Sequence, residues 1–397
     1  MGMVSKCFKS LLVAVFSLSL MFFFNRLAAQ PETNSGTPEA GKKSTQKLDP
    51  AKIIMEHVSD AHEFHFFTLG GKKISIPLPV LLYSPSRGFS GFMSSAFEDG
   101  DKTPAGYRLL EEKFIEEKGL GEKKDAKGKP LFTTGKIYAL DAAGMPDLQV
   151  KVYDFSLTRN VVQVFISLFL LVWIMVGLAR KYAKGHGVIT APSGMQNALE
   201  PVITFVRDEV AKPNLGTRYE RYMPYLLTVF FFILINNLVG LIPGTANVTG
   251  NIAFTAVLGL ISFVVILFSS NKHYWGHIFN PPVPFGIKFI MVPIEILGIF
   301  TKPFALIVRL FANMISGHII VLSFIILIFI FGAMNVSLGY GTSPLFVLFS
   351  VFIYLLELLV AFIQAFIFSN LTAVFIGQAF EGSHDDHGGH SDDAVIL

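Results

Sequence analysis

The chain has 397 residues, of which 52% are hydrophobic and 13% aromatic, while only 15% are charged. An ordinary soluble domain carries about 25% charged residues, so the composition indicates a polytopic membrane protein. The formal net charge of +3 predicts no nucleic-acid partner, and the single cysteine, Cys7, excludes an intramolecular disulfide and a cysteine metal cluster.

The first segment, residues 1–29, has the pattern of a secretory signal peptide. A basic start precedes an apolar run over residues 11–24, and the small residues Ala28 and Ala29 follow it. A retained anchor helix is the alternative, but the run is shorter than the ~20 residues that a spanning helix needs. Cleavage is therefore favoured, and it would place residue 30 onward outside the cytoplasm.

A linker and a small domain come next. Residues 30–50 are rich in Pro, Gly, Ser, Thr and Lys, so we expect 30–59 to be a flexible linker. Residues 60–156 predict a small mixed α/β extracytoplasmic domain, with short strands in KKISIPLPVLLYS and KPLFTTGKIYAL and an amphipathic helix in YRLLEEKFIEEK. Because no catalytic constellation is visible there, a packing or assembly role is favoured.

Long apolar stretches make residues 157–380 a membrane domain. They predict an all-α fold with about five membrane helices, at about 157–179, 222–243, 252–270, 291–332 and 345–380. The fourth would form roughly 63 Å of helix for a hydrocarbon core of ~30 Å, so the last two helices must be steeply tilted or broken. Pro303 predicts a local kink, and the Gly and Pro residues of 333–344 predict a loop that reverses the chain.

The basic residues set the predicted orientation. Lys and Arg are concentrated in 180–221 and 271–290, whereas 244–251 and 333–344 carry none. Since basic residues accumulate on the cytoplasmic side, the first span should run from outside to inside, and the C-terminus should be cytoplasmic. The acidic, His-rich tail, 381–397, is expected to be flexible, with weak metal binding as the alternative.

Residues 193–212 carry an amphipathic pattern. Apolar residues recur there at helical spacing beside polar and charged ones: Leu199, Val202, Ile203, Val206 and Val210. The pattern fits a helix lying on the cytoplasmic membrane surface, and it fits a plain helix of a cytoplasmic loop equally well.

Ionisable and amide side chains in the last two spans are the candidate functional residues. A charge in hydrocarbon costs roughly several kcal/mol, so each such residue is a functional hypothesis. The fourth span contains Glu295, Lys302, Arg309, Asn313 and His318, and the fifth contains Glu357 and Gln364.

The spacing in the fourth span predicts one polar stripe. Its members recur at steps of seven residues, with Asn313 one turn beyond Arg309: Glu295, Lys302, Arg309 and Ser316. Because arginine is not deprotonated in practice, Arg309 cannot relay protons and would act as a fixed positive barrier or a transient partner of a carboxylate. Glu295, about 21 Å to the inner side, could serve a cytoplasmic exit.

A second group is predicted on the other face. His318 is about 13.5 Å farther along the helix than Arg309 and roughly opposite to it. Glu357 and Gln364 share a face of the next helix and could complete a pocket with His318. Either His318 or Glu357 can exchange a proton when hydration or a neighbour tunes its pKa, so protons would need a moving carrier to pass Arg309.

Each of these residues also has an ordinary structural interpretation. An intramembrane His or Glu could form a satisfied interhelical hydrogen bond. Lys302 could extend its long side chain toward the cytoplasmic interface. Asn236 and Asn237 are interpreted as helix-packing residues that could also hydrate a proton path.

The string KPFALIVRLFANMISGHII, with its specific pattern R-L-F-x-N-x-x-x-G, resembles subunit a of the F-type ATP synthase membrane sector, bacterial type. The resemblance covers roughly residues 150–380. It implies that Arg309 corresponds to the essential arginine of the family and Asn313 to its neighbouring asparagine. Glu295 would correspond to a carboxylate of the cytoplasmic half-channel. The outer half-channel would contain His318 and Glu357, exchanged relative to some bacteria, and then Gln364.

The resemblance implies a proton-translocating subunit that forms two offset half-channels against a rotating c-ring and couples proton flow to ATP synthesis. It implies no cofactor and no catalytic site in this chain. The implied partners are the c-subunit ring, the peripheral stalk b subunits, the remaining ATP synthase subunits and membrane lipid, in the cell inner (plasma) membrane. The N-terminal 150 residues are longer than the common family pattern and lie outside the resemblance.

Three other classes fit less well. A secondary transporter or channel would use the same intramembrane groups without a rotor, but repeated halves around paired broken helices are not visible. A non-conducting scaffold would not need Arg, His and two Glu in adjacent spans. An enzyme is disfavoured because the patterns GxxxxGK[ST], HExxH and GxSxG are absent from the sequence.

Overall fold

The computed structural model describes residues 60–69, 72–97, 102–122, 130–141, 143–185, 187, 191–192, 194–242, 245–281 and 284–380. The predicted signal peptide (1–29), linker (30–59) and tail (381–397) lie outside the described residues. The chain divides into two compact units. The first unit ends at Ile166 and also includes the short segment Ile242–Ala246, and the second unit contains the other residues.

The first unit contains short antiparallel strands. β1 (Glu63–Leu69) pairs with β2 (Lys72–Pro77), β3 (Pro79–Ser84) lies between β4 (Gly88–Met93) and β7 (Tyr153–Asp154), and β5 (Tyr107–Leu109) pairs with β6 (Ile137–Ala139). A short helix, α1 (Glu112–Glu117), follows β5. The predicted mixed α/β region is therefore confirmed.

The helix predicted in YRLLEEKFIEEK is wrong in its first part. Tyr107 begins β5, and the helix starts only at Glu112. Tyr107 is fully buried in a cluster with Val80 and Leu82, and it pairs with Ala139 across the sheet. This long-range burial overrides the local helical pattern, since strand preference depends mainly on such packing.

A polar contact links the segment before β1 to β7. Nε2 of His62 lies 2.8 Å from Oδ2 of Asp154, whose other oxygen accepts a hydrogen bond from the backbone N–H of Ser156. Burial alone would raise the pKa of the Asp154 carboxyl group, but the hydrogen bonds from His62 and Ser156 outweigh it and lower that pKa below its ordinary value.

Within the described ranges, five helical segments are long and apolar enough to span a membrane. Four are single helices: α2 (Arg159–Ala183), α6 (Ile252–Ser269), α8 (Phe285–Met334) and α9 (Val336–Phe380). The other comprises α3 (Met195–Phe205), a π-helical turn (Val206–Ala211), α4 (Lys212–Leu215), a 3₁₀ turn (Gly216–Arg218) and α5 (Tyr219–Gly240). A short helix, α7 (Lys272–Phe279), precedes α8. The predicted polytopic α-helical fold, with two long final helices, is confirmed.

The loop predicted at 333–344 is wrong, because nearly all of it is helical. Only Asn335 separates α8 from α9, and its side chain caps α9 by accepting a hydrogen bond from the backbone N–H of Ser337. A Cβ atom on Gly339 would lie 2.6 Å from Cα of Gly332, so these glycines allow the two helices to approach closely. α8 continues through Pro303, and the local kink predicted at this residue stays a prediction.

The apolar stripe of residues 193–212 packs against protein. Val206 and Val210 are fully buried in the main core of the second unit, which is formed largely by α5, α8 and α9. The ring of Phe205 lies 5.3 Å from that of Phe366 in α9. The interpretation of this stripe as a face embedded in the membrane surface is therefore wrong for Val206 and Val210.

Two glycines of the membrane helices are closely approached by their neighbours. A Cβ atom on Gly377 of α9 would overlap the backbone carbonyl oxygen of Asn214 in α4, and one on Gly259 of α6 would overlap the side chain of Ile307 in α8. Nδ2 of Asn214 also donates to Oδ1 of Asn370 in α9 at 2.8 Å. The position of α4 on α9 therefore depends on a glycine and on an amide pair.

Replacing Gly377 by Ala should destabilise the membrane unit by about 1–3 kcal/mol, because the added methyl group would displace a backbone carbonyl. Gly259→Ala should cost less, since the Ile307 side chain can change rotamer. In both variants the loss of stability is reduced by ~1 kcal/mol, because Ala has a higher helix propensity than Gly. Gly298→Ala in α8 is the control for this gain, because a Cβ atom there meets nothing within 4 Å.

The measurement is the thermal unfolding midpoint of the full-length chain in detergent. The expected order of midpoints is Gly298→Ala highest, then Gly259→Ala, then Gly377→Ala. Equal midpoints for Gly377→Ala and Gly298→Ala would contradict the close approach of α4 to α9.

Candidate functional site

His318 of α8 and Glu357 of α9 are in direct contact. Nδ1 of His318 lies 2.6 Å from Oε1 of Glu357, and the side chains are 25% and 4% exposed, respectively. Nε2 of His318 lies 3.2 Å from the carbonyl oxygen of Gly240, the last residue of α5. The site therefore lies where α5, α8 and α9 meet.

The carbonyl group of Gly240 determines the tautomer of His318. A carbonyl oxygen can only accept, so Nε2 must carry a hydrogen atom and donate it. Nδ1 then shares one proton with Glu357, either by accepting it from a neutral carboxyl group or by donating it as an imidazolium to a carboxylate. The pair consequently holds one exchangeable proton between two bases.

Gly317 makes room for the carboxyl group of Glu357. A Cβ atom on Gly317 would lie 2.9 Å from both Cδ and Oε1 of Glu357, a distance that a real side chain would not tolerate. The missing side chain next to His318 thus lets Glu357 reach the imidazole. Gly317 is the final residue of the pattern R-L-F-x-N-x-x-x-G, but its position in the sequence does not predict the contact with Glu357.

Polar contacts hold the end of α5 and the residue after it, Leu241, against α9. The hydroxyl of Tyr354 donates to the carbonyl oxygen of Leu241, and Nδ2 of Asn237 donates to the carbonyl oxygen of Ala361 at 3.2 Å. The Oδ1 atoms of Asn236 and Asn237 are buried and have no hydrogen-bond partner within the described part of the chain. An unsatisfied buried acceptor costs about 1–3 kcal/mol, and a water molecule bound at either oxygen would reduce this cost.

Buried polar residues continue along α9 beyond Glu357. Gln364 is 3% exposed and lies two turns farther on, on the same face of the helix. Ser369 and Thr372 follow, and both are fully buried. A line of polar side chains therefore runs inside the helix bundle from Glu357 onward.

Arg309 lies on the face of α8 that is turned away from the core. It is exposed together with Asn313 and Ser316. The opposite face packs inward, with exposures of 2% or less: Leu306, Leu310 and Met314. Across the described residues, Arg309 has neither an ion pair nor a hydrogen bond. Because an uncompensated charge is costly in hydrocarbon, this face favours a counter-charge from outside the described residues.

Glu295 is separate from both groups and lies about 21 Å before Arg309 along α8. Its carboxylate is half-buried and interacts electrostatically with Tyr274 of α7 and with Lys302. Nζ of Lys302 donates to Oε1 of Gln378 in α9 at 2.9 Å. Lys302 therefore reaches across to the neighbouring helix, a contact that the sequence does not predict.

Comparison with known proteins gives two matching family models. One, described as ATP synthase A chain, matches residues 161–377, and the other, described as a domain of unknown function (DUF8433), matches residues 53–155.

Three similar proteins illustrate the relationship. ATP synthase subunit a of Chloroherpeton thalassium is 47% identical over 249 residues, which are 62% of this chain and 72% of that protein. ATP synthase subunit a 2 of Chlorobaculum tepidum is 45% identical over 256 residues, 63% and 70% of the two chains. ATP synthase subunit a 2 of Prosthecochloris aestuarii is 44% identical over 254 residues, 62% and 75% of the two chains.

Replacing Gly317 by Ala should destabilise the chain by about 1–3 kcal/mol, because the methyl group would press on Glu357. In a Glu357→Ala background the same substitution should cost less than about 0.5 kcal/mol, because the carboxyl group is gone and Ala is the better helix former. Thermal unfolding of the four proteins in detergent completes a double-mutant cycle that isolates the contact. The same cost in both backgrounds would mean that Gly317 does not accommodate Glu357.

Proposed function

The chain belongs to the ATP synthase A chain family, and we propose that it forms two offset half-channels that carry protons to and from a rotating ring of c subunits. It is a multi-pass membrane-sector subunit of this family. The observation that carries the proposal is the arrangement on α8. On one face of α8, the partly buried His318 shares a proton with the buried Glu357 of α9, and on the other face lies an exposed arginine, which has no partner among the described residues.

The exposed charge of Arg309 supports a carboxylate-bearing partner. A permanent cation on an apolar helix is stabilised when an anionic group of a neighbouring protein lies opposite to it. In the proposed mechanism that group is the carboxylate of a c subunit, which pairs briefly with Arg309 as the ring turns. Because arginine keeps its proton, it releases the carboxylate without conducting protons between the two half-channels. Asn313, one turn away on the same face, would help to position the carboxylate.

The outer half-channel would use the His318 and Glu357 pair. A proton that arrives from outside is bound between the two groups and is passed on through the polar line that continues with Gln364. The free Oδ1 atoms of Asn236 and Asn237 would hold water on this path. The order of His and Glu in the pair does not matter for this role, because the two groups hold one proton jointly.

The inner half-channel would use Glu295. Its half-buried carboxylate lies toward the N-terminal end of α8, on the far side of Arg309 from the outer pair. Lys302 lies between Glu295 and Arg309 in the chain, and its positive charge attracts the Glu295 carboxylate. A proton released from the ring would leave through this group to the cytoplasm.

The remaining proposals concern topology and partners. The concentration of Lys and Arg in 180–221 and 271–290 supports a cytoplasmic position for these segments. The first unit would then lie outside the cytoplasm and the C-terminus inside, in the cell inner membrane. Beside the c-ring, we expect the peripheral stalk b subunits and the remaining ATP synthase subunits as partners, and ATP chemistry would belong to those subunits.

Replacing Arg309 by Ala should abolish ATP-driven acidification of inverted membrane vesicles, because the barrier between the half-channels and the partner of the ring carboxylate are both lost. Arg221→Ala is the matched control, since Arg221 is also an exposed arginine but lies outside the hairpin of α8 and α9. Its Cζ atom lies 5.9 Å from the ring centroid of Tyr222. Assembly of the complex is checked by copurification of the c-ring. Normal acidification by an assembled Arg309→Ala complex would overturn the mechanism.

Exchanging the two outer groups, by His318→Glu together with Glu357→His, should retain more pumping than either His318→Ala or Glu357→Ala. The exchanged pair can still share one proton across the same helix contact, whereas each alanine removes one of the two bases. The readout is the initial rate of vesicle acidification, normalised to assembled complex. Equal loss in all three variants would show that the two groups do not act as a pair.

A further inference from the structure

A cavity of about 200 Å³ lies between the second half of α2 and the start of α3. We call it the α2 pocket and define it by Trp173, Gly177 and Lys181 of α2 and Met195, Gln196 and Leu199 of α3. None of these residues belongs to the proposed proton path. The cavity therefore requires an explanation of its own.

The α2 pocket has an apolar end and a charged end. Trp173, Gly177 and Lys181 recur four residues apart, so they form one stripe about 12 Å long along α2. A Cβ atom on Gly177 would meet nothing within 4 Å, so the glycine leaves a groove that is not filled by any residue whose position is described. Lys181 marks the end of this groove near the helix terminus.

The charged end of the α2 pocket carries an excess of positive charge. Lys181 lines the pocket and has no ion pair with any described residue, and Arg180 and Lys184, which do not line it, are exposed nearby in the chain. The carboxylate of Glu200 in α3 interacts electrostatically with Tyr182, and its Oε2 atom is buried without a hydrogen-bond partner among the described residues. The C-terminal end of a helix carries a partial negative charge, so an anion at this position would be held by the basic side chains and not by the backbone.

We propose that the α2 pocket binds an anionic phospholipid, with part of one acyl chain in the cavity and the phosphate group beside Lys181. A membrane-facing apolar groove that ends at a basic cluster matches both halves of such a lipid. A free phosphate ion would use the cations but leave the groove empty. The volume suits a segment of one chain, and the remainder of the lipid would lie in the bilayer.

The test uses Trp173 as a reporter inside the site. The chain has two tryptophans, so Trp275→Phe leaves Trp173 as the only one. The full-length Trp275→Phe protein is placed in phosphatidylcholine nanodiscs that contain a small fraction of brominated phosphatidylglycerol or, in parallel, brominated phosphatidylcholine. Because Trp173 is 62% exposed, bulk lipid will quench its fluorescence in both series, and the measured quantity is the excess quenching by phosphatidylglycerol.

The expected result is a preference for phosphatidylglycerol that drops roughly fivefold when Lys181→Gln removes one basic charge. Gly177→Leu should abolish the preference by filling the groove. Two matched controls, Lys288→Gln and Gly298→Leu, make the same changes on α8 and should leave the preference intact. Circular dichroism checks that each variant keeps its helix content.

Three outcomes would overturn the proposal. One is equal quenching by the two lipids in the Trp275→Phe protein. Another is a preference that survives both Lys181→Gln and Gly177→Leu. The third is loss of the preference on addition of inorganic phosphate at millimolar concentration, which would identify a site for a free anion instead of a lipid.

Discussion

A carboxyl group enclosed by membrane helices needs a hydrogen-bonding partner, because no bulk water is present to provide one. Glu357 has this partner in His318, and the requirement extends to three helices. Gly317 must lack a side chain, and Gly240 must end α5 with its carbonyl group directed at the imidazole. A slip of α8 along α9 by one residue, about 1.5 Å, would weaken the contact at once. The contact between His318 and Glu357 therefore depends on the close packing of α8 against α9.

Arg309 also needs a polar partner, but unlike Glu357 it has none among the described residues. Its face of α8 has no compensating group in the described part of the chain, while the reverse face is filled by Leu306, Leu310 and Met314. The described residues thus provide a partner for the buried acid, Glu357, but none for the exposed base, Arg309. A protein surface with an unbalanced charge of this kind favours a partner with the opposite charge, and it disfavours permanent exposure to lipid.

The sequence predicts the chemistry of the hairpin better than its geometry. His318, Glu357 and Arg309 stand out because ionisable residues are rare in long apolar runs, and helical spacing alone separates their faces. Gly317 and the Gly240 carbonyl could not be found in this way, since their roles depend on which atoms of other helices arrive beside them. The loop predicted for segment 333–344 is wrong for a related reason. Gly and Pro usually indicate turns, but Gly332 and Gly339 let two helices touch, a property that is visible only when both are in place.

The lengths of α6 and α8 differ in a way that bears on the lipid environment. At about 1.5 Å per residue, the 18 residues of α6 give about 27 Å, close to the ~30 Å hydrocarbon core, whereas the 50 residues of α8 give about 75 Å. If the whole of α8 lay in hydrocarbon, it would incline by about 66° from the bilayer normal, and a bilayer thicker by about 3 Å would change this angle by only ~2–3°. The same thickening would leave α6 too short, and tilting cannot lengthen it. Bilayer thickness should therefore be sensed mainly at the ends of α6, while the hairpin that bears Arg309 keeps nearly the same inclination in membranes of different composition.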